Sequence, residues 1–366
     1  MENTFWELNN AQRPCFGIAP VDEGWERIQL PRSHYDNYDT VIYLDGEHVR
    51  YIVRHGELEH IEHALDEMLT PDRKCIVPKR SAKLIKLSAA TITKRSPVGM
   101  CLQYKRHPKS EHGYVDLHTV NLGYYRSWVA GDQIGWMEDF KLWCSEWCEQ
   151  TTEADLADVA AFARRSTKTV KLREGDVFRF RWTRGLWGYG RILLDYRLMR
   201  KQKIPFYDCL MGPPLAIEVF KIVTNDPALP LETVLAQDAM PSQNMMDNAL
   251  HFGEFEIIGH APVPEDRDAR CPIMYGIGPR FDHILRFQQG RIYRELPDGK
   301  ALGSTDFKNN AIGWSLNVSM AEVVECIRHG MDAYWAKHTY RHAGDLRNPA
   351  YADVLKDVRE QMGVTV

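Results

Sequence analysis

Gly175-Asp176-Val177-Phe178-Arg179-Phe180-Arg181-Trp182, then Thr183-Arg184-Gly185, then Leu186-Trp187-Gly188-Tyr189-Gly190-Arg191-Ile192-Leu193-Leu194, is the stretch that decides the fold class of the C-terminal half. After Val177 the side chains alternate strictly. Phe178, Phe180 and Trp182 fall on one face of an extended segment, and Arg179 and Arg181 fall on the other. Thr183 to Gly185 supplies a hairpin loop. The second strand carries Gly188 and Gly190 on one face, where a bend or a close approach to the backbone is expected. The two strands predict the first hairpin of a small β-barrel, with aromatic rings crowding the joint.

Further along, Phe255-Glu256-Ile257-Ile258-Gly259-His260 reads as another strand, and Tyr275-Gly276, Phe281, Gln288-Gln289-Gly290-Arg291-Ile292-Tyr293 and Asn309-Asn310-Ala311-Ile312-Gly313-Trp314 follow in order. The Gly-Asp-x-Phe opening, the Tyr-Gly-Arg strand and these later pieces together resemble the bacterial immunity protein 26 family. The resemblance covers roughly the C-terminal half, and residues 1–150 have no family assignment. It implies a cytoplasmic protein of a polymorphic toxin system that neutralises a secreted or contact-delivered toxin by binding it.

A chain of 366 residues suits two domains or one large one, long enough to bury a real core. Hydrophobic content of 44% and charged content of 26% are those of an ordinary globular protein, which argues against general disorder. No stretch is apolar for the length of a membrane span, and Trp6, Glu7 and Asn9 interrupt the only candidate leader, so no membrane is expected and the location is read as cytoplasmic. The eight cysteines contain no Cys-x-x-Cys pair and are too dilute for a disulfide scaffold. Cys144 and Cys148, one helical turn apart, could hold half of a metal site, but no second ligand pair follows, and packing is the favoured reading. The net charge of −4 argues against a general polyanion binder. Acidic residues gather between Asp36 and Glu67, and basic ones between Lys79 and Arg106, which predicts separable charged faces.

The N-terminal half opens with a hairpin, Thr40–Leu44 and His48–Val53, around Asp45-Gly46, a pair suited to a type I′ turn. Leu58, Ile61, Leu65 and Met68 then recur at helical spacing and predict an amphipathic helix over 57–69, with Glu59, Glu62, His63, Asp66 and Glu67 on its outer side. Extended segments are expected near 83–93 and 114–120, and a helix with Phe140, Trp143 and Trp147 on one stripe. Thr152 caps the next helix, read as a connector over 151–168. A β-rich domain over 169–342 follows, in which Ser319 and Glu322 form a capping box, and a terminal helix lies within 343–366. Residues 225–248, with several prolines and weak periodicity, read as a long irregular loop. The fold class is therefore α+β: an N-terminal α+β domain over 1–150, a connecting helix, and a C-terminal β-barrel-like domain with peripheral helices.

His55 to His63 offers three imidazoles and three carboxylates, the strongest pointer to metal chemistry. A zinc protease site needs two histidines four apart with a glutamate beside the first, whereas His60 and His63 are three apart and the order is wrong. A solvated acidic helix face is favoured. No nucleophile elbow and no Walker sequence is present, and Gly185, Gly188 and Gly190 lie inside a hairpin and not before a helix. No catalytic residue, cofactor or metal is expected. Trp182, Trp187 and Tyr189 could cage a flat base or a methylated ammonium, but packing across strands is favoured.

The expected function is stoichiometric inhibition of a cognate toxin. A nuclease is one target chemistry, since its phosphate cleft is basic and Glu59, Glu62, His63, Asp66 and Glu67 would present negative charge to it. Met240, Met245 and Met246 form the second candidate contact, because flexible thioethers adapt to partner surfaces. The alternatives are a nucleic-acid-binding module using residues 79–106 and the hairpin aromatics, the less favoured partner class, and a metal-dependent hydrolase. Gly175, Asp176, Phe178, Phe180, Trp182, Trp187, Gly188, Tyr189 and Gly190 form the structural motif.

Overall fold

A computed structural model describes residues 5–32, 37–80, 82–206, 214–277, 283–302, 312–336 and 344–365. They form two compact units, Met1–Thr167 with Thr183–Gly185, and Lys168–Trp182 with Leu186–Val366. Both helices and sheets are present, in agreement with the α+β class. Phe281 and Asn309 to Ala311 of the family-like pieces lie outside the described residues.

The first unit is built on β1 (Glu26–Leu30), β2 (Tyr38–Asp45), β3 (His48–Gly56), β4 (Glu59–Leu69), β5 (Cys75–Val77), β6 (Ile85–Lys86), β7 (Val98–Arg106), β8 (Gly113–His118) and β9 (Gly123–Arg126). They form one sheet in the order β1-β2-β3-β4-β7-β8-β9, with β5 and β6 extending from β4. The β2–β3 hairpin is where the sequence places it. Its turn differs in detail: Asp45 pairs with His48, and Gly46, at φ 62°, takes the first central position, as in a type II′ turn and not the Asp-Gly type I′.

The expected helix over 57–69 is corrected. β4 is an eleven-residue strand, paired antiparallel with β3 (Arg54 opposite Ile61) and with β7 (Glu59 opposite Lys105). A strand alternates, so Glu59, Ile61, His63, Leu65, Glu67 and Leu69 share one face, and His60, Glu62, Ala64, Asp66 and Met68 share the other. Leu65 and Leu69 join Ile42, Leu44, Val49, Ile52, Ile76 and Ile92 in a core beneath the 70–97 excursion. The helix Met137–Glu149 forms as expected and buries Phe140, Cys144 and Trp147. Thr152 caps the helix Glu153–Ala163 through the Asp155 amide, and this helix belongs to the first unit, where Tyr124 donates to Asp158 Oδ2 at 2.8 Å.

The second unit holds β10 (Asp176–Thr183), β11 (Leu186–Asp195), β12 (Leu215–Val219), β13 (Gln243–Met245), β14 (Glu256–His260), β15 (Ile273–Ile277), β16 (Ile284–Gln289), β17 (Ile292–Pro297) and β18 (Ile312–Gly313). The order β14-β10-β11-β12-β13-β18 makes an open six-stranded sheet, and β15-β16-β17 a separate three-stranded one. The expected barrel is thereby corrected: among the described residues β14 and β18 end the larger sheet without pairing each other. Residues 225–248 are less irregular than expected, since they contain a short helix, Leu231–Leu235, and β13. The three-stranded sheet packs Ile273, Tyr275, Leu285 and Phe287 against Leu346, Val358 and Met362, the last two brought there by the helix Ala352–Gln361 and its end. The Ser319–Glu322 capping box starts the helix Met320–His329.

Candidate functional site

The clustered histidines and carboxylates of the first unit lie inside it. β4 runs between two neighbours, so its alternation sends His60 and Glu62 inward, toward the segment Phe5–Ile18 and the helix Met137–Glu149. The Glu62 carboxylate is 0% exposed. It accepts from Arg13 Nε at 2.9 Å, Tyr51 Oη at 2.7 Å and the Leu8 amide at 3.0 Å, and His60 Nε2 lies 3.2 Å away. Burial alone would push this carboxyl up; the hydrogen bond and charge of His60, the charge of Arg13 and the Leu8 amide outweigh it and hold Glu62 below the ordinary glutamate range. Arg13 also donates to Asn10 and Glu7, and Tyr43 donates to Glu7 at 2.6 Å.

His55 Nδ1 lies 3.3 Å from His60 Nδ1. Burial, then the neighbouring His60 and Lys141, push His55 down to about 3, and burial pushes His63 down to about 4. The rings of Trp6 and Phe140 close over His60, with centroids at 4.8 and 5.4 Å. Every donor around Glu62 belongs to the protein itself, so the carboxylate is a buried clasp and not a base facing a ligand. Among the described residues no three histidine, cysteine, aspartate or glutamate side chains are placed to hold a metal ion.

The expected acidic surface is corrected by the same geometry. Glu59, Glu62, His63 and Glu67 are buried, and Asp66 alone of the five keeps substantial exposure, 45% of its side chain. Four cations of the basic stretch pair with carboxylates of the acidic one. Lys79 meets Asp66 at 2.9 Å, Arg95 meets Glu67 at 3.0 Å, Lys105 meets Glu59 at 3.2 Å and Arg106 approaches Glu57 at 3.8 Å. Strand pairing explains the Glu59–Lys105 contact, since the two residues stand opposite each other on β4 and β7, while Lys79 and Arg95 come from the excursion between β5 and β7.

In the second unit the hairpin reading holds. Phe178, Phe180 and Trp182 are fully buried, with Phe255 stacked on Phe178 at 5.7 Å. Gly188 and Gly190 are required where they stand: a β-carbon would come within 2.5 Å of the Phe180 ring at Gly188 and of the Phe178 ring at Gly190. Tyr189 points to the opposite face, into a cluster with Val177, Phe220 and Val234. Trp182 and Tyr189 therefore cannot form one cage. Trp187, half-buried, has the Arg181 and Arg179 guanidinium carbons 4.4 and 5.2 Å from its ring centre. Gly175 begins the turn into β10, and buried Asp176 accepts from the Arg173 amide at 2.8 Å and meets His260 Nδ1 at 3.0 Å. Met240 and Met245 are buried and Met246 is half-buried, so two of the three expected thioether contacts are core.

Sequence reasoning missed two buried ionic groups. Arg191 Nε donates to Glu218 at 2.8 Å, and Arg270 approaches the same carboxylate at 3.4 Å. Arg347 pairs with Asp345 at 2.8 Å and donates to the Ser242 carbonyl at 2.8 Å. A charge inside an apolar run was the available signal for the first: Arg191 precedes Ile192-Leu193-Leu194, and Glu218 stands between Ile217 and Val219.

Residues 173–281 match the family model described as Immunity protein 26. The matched stretch opens at the Arg173–Asp176 turn and spans β10 to β15, so the resemblance carried by the hairpin is shown for this part of the chain. This part of the chain is similar to that family, and the similarity supports an immunity role in general. No curated protein and no solved structure matches the chain.

Proposed function

We propose that this protein binds a cognate bacterial toxin and neutralises it as a stoichiometric inhibitor, with no chemistry of its own. The observation that carries the reading is the immunity-family match over 173–281, laid on a buried aromatic hairpin. The carboxylate best placed for acid–base work, Glu62, is saturated by protein donors, which fits an inhibitor better than a hydrolase. The nucleic-acid alternative is weakened, because Lys79, Arg95, Lys105 and Arg106 of its basic stretch have acidic partners. No helix among the described residues is long and apolar enough to cross a membrane, and a cytoplasmic site of action is part of the proposal.

Mimicry of nucleic acid by residues 59–67 now has Asp66 as its only well-exposed carboxylate. The favoured mode is therefore coverage of the toxin by shape, over a patch of standard size, and a nuclease target remains one outcome of the test. Asp66 and Met246 are the partner-contact candidates that keep accessible atoms. Coexpression with the toxin encoded beside this gene is the direct test. Protection together with a complex that survives gel filtration is expected; equal killing with and without this chain, and no complex, would overturn the reading.

A further inference from the structure

We propose that Cys15 and Cys148 form an oxidisable dithiol whose disulfide locks the segment Phe5–Ile18 onto the helix Met137–Glu149. The inference is independent of the toxin reading. Cys15 lies in the 3-10 turn Arg13–Phe16, and Cys148 in the last turn of the helix. One carbonyl sits between them: Gln12 O accepts the Cys15 amide at 2.9 Å and the Cys148 thiol at 3.8 Å. Trp147 Nε1 donates to the Cys15 carbonyl at 3.0 Å, and Phe16 stacks on Trp147 with the ring planes 13° apart. The two backbones are thus already fixed side by side. Both thiols are only half-buried, whereas Cys101, Cys144, Cys271 and Cys326 are buried, so an oxidant reaches this pair before those four.

The chemistry balances with a peroxide as oxidant. The Cys15 thiolate attacks one peroxide oxygen, the O–O bond breaks, and hydroxide leaves as water after protonation. The Cys15 sulfenic acid is then attacked by the Cys148 sulfur; the S–S bond forms, the S–O bond breaks, and a second water leaves with the Cys148 proton. Burial, reinforced by the hydrogen bond and charge of Cys15, pushes the Cys148 thiol up to about 12, which disfavours it as the thiolate that meets the peroxide first. The segment so locked is the one that brings Leu8 and Arg13 to Glu62.

The test is to expose the reduced full-length protein to hydrogen peroxide, block the remaining thiols by alkylation, and map peptides without reductant. The expected product joins the Cys15 and Cys148 peptides, two hydrogens lighter than their sum, and raises Tm in a way that dithiothreitol reverses. Cys148→Ser should abolish the link and leave Cys15 as a sulfenic acid that dimedone traps; Cys15→Ser should abolish the link without trapping at residue 148. Alkylation of both residues after oxidation, or a bond from Cys148 to Cys144 or to a second molecule, would overturn the proposal.

Discussion

Two buried sites, one in each unit, hold together by different means. Around Glu62 the first unit buries charge, and it succeeds because each ionised group has its partners; around Gly188 and Gly190 the second buries rings, and it succeeds because two positions have no side chain at all. The first centre is therefore sensitive to the loss of a partner, and the second both to the loss of a ring and to an added carbon. A buried ion pair gains little over an apolar pair but is costly to break from one side, whereas a packed ring resists any extra carbon atom.

The sharpest way to break this contrast is Glu62→Lys, which sets a second cation beside Arg13. We expect a loss of about 5 kcal/mol in urea unfolding, and a loss below about 1 kcal/mol would show that the clasp contributes little. Phe178→Ala, the matching deletion in the second unit, should cost roughly 3–5 kcal/mol. Gly190→Ala adds one carbon against the Phe178 ring and the Glu218 carbonyl and should cost about 1–3 kcal/mol; a neutral result would mean that the hairpin core is loose.

Acid sharpens the comparison further. Folding holds His55 at about 3 and His63 at about 4, well below the ordinary 6.5, so between those values the unfolded chain takes up protons that the folded chain refuses. Their contribution is complete above about pH 6.5 and drains as pH falls toward the folded values; the Glu62 contribution is lost below the ordinary glutamate range. The unfolding midpoint should drop with acid in this order, and a His55→Asn, His63→Asn double variant should flatten the first part of the fall. The smallest effect is expected at Asp66, already paired with Arg50 and Lys79. Asp66→Lys should cost less than about 1 kcal/mol of stability, and a change in toxin association of more than about threefold would place Asp66 in the contact.

The hairpin was legible because its signal is local: alternation and glycine placement are complete within residues 175–194. The 59–69 segment was not, because Leu58, Ile61, Leu65 and Met68 happen to fall at helical spacing while the alternation is disguised by buried His60 and Glu62. Polar residues read as exposed until their partners are known, and those partners are distant, with Arg13 49 and Leu8 54 positions from Glu62. Barrel closure was over-read for a related reason. Hairpin pairing is written in adjacent sequence, but whether the first and last strands of a sheet meet is not, and β18 instead joins β13 in parallel. The candidate contact surface suffered most, since the helical reading turned residues with inward-facing side chains into a solvent face.

The mutual pairing of the 57–67 carboxylates with the 79–106 cations has a kinetic corollary. Oppositely charged groups a few ångströms apart cast a field that fades within about one Debye length, roughly 8 Å in physiological salt. A docking partner approaching these four pairs, away from the exposed Arg80, Lys83, Lys86 and Lys94, would feel little long-range pull. Its capture rate there would then follow diffusion and orientation, staying nearly level as ionic strength is raised.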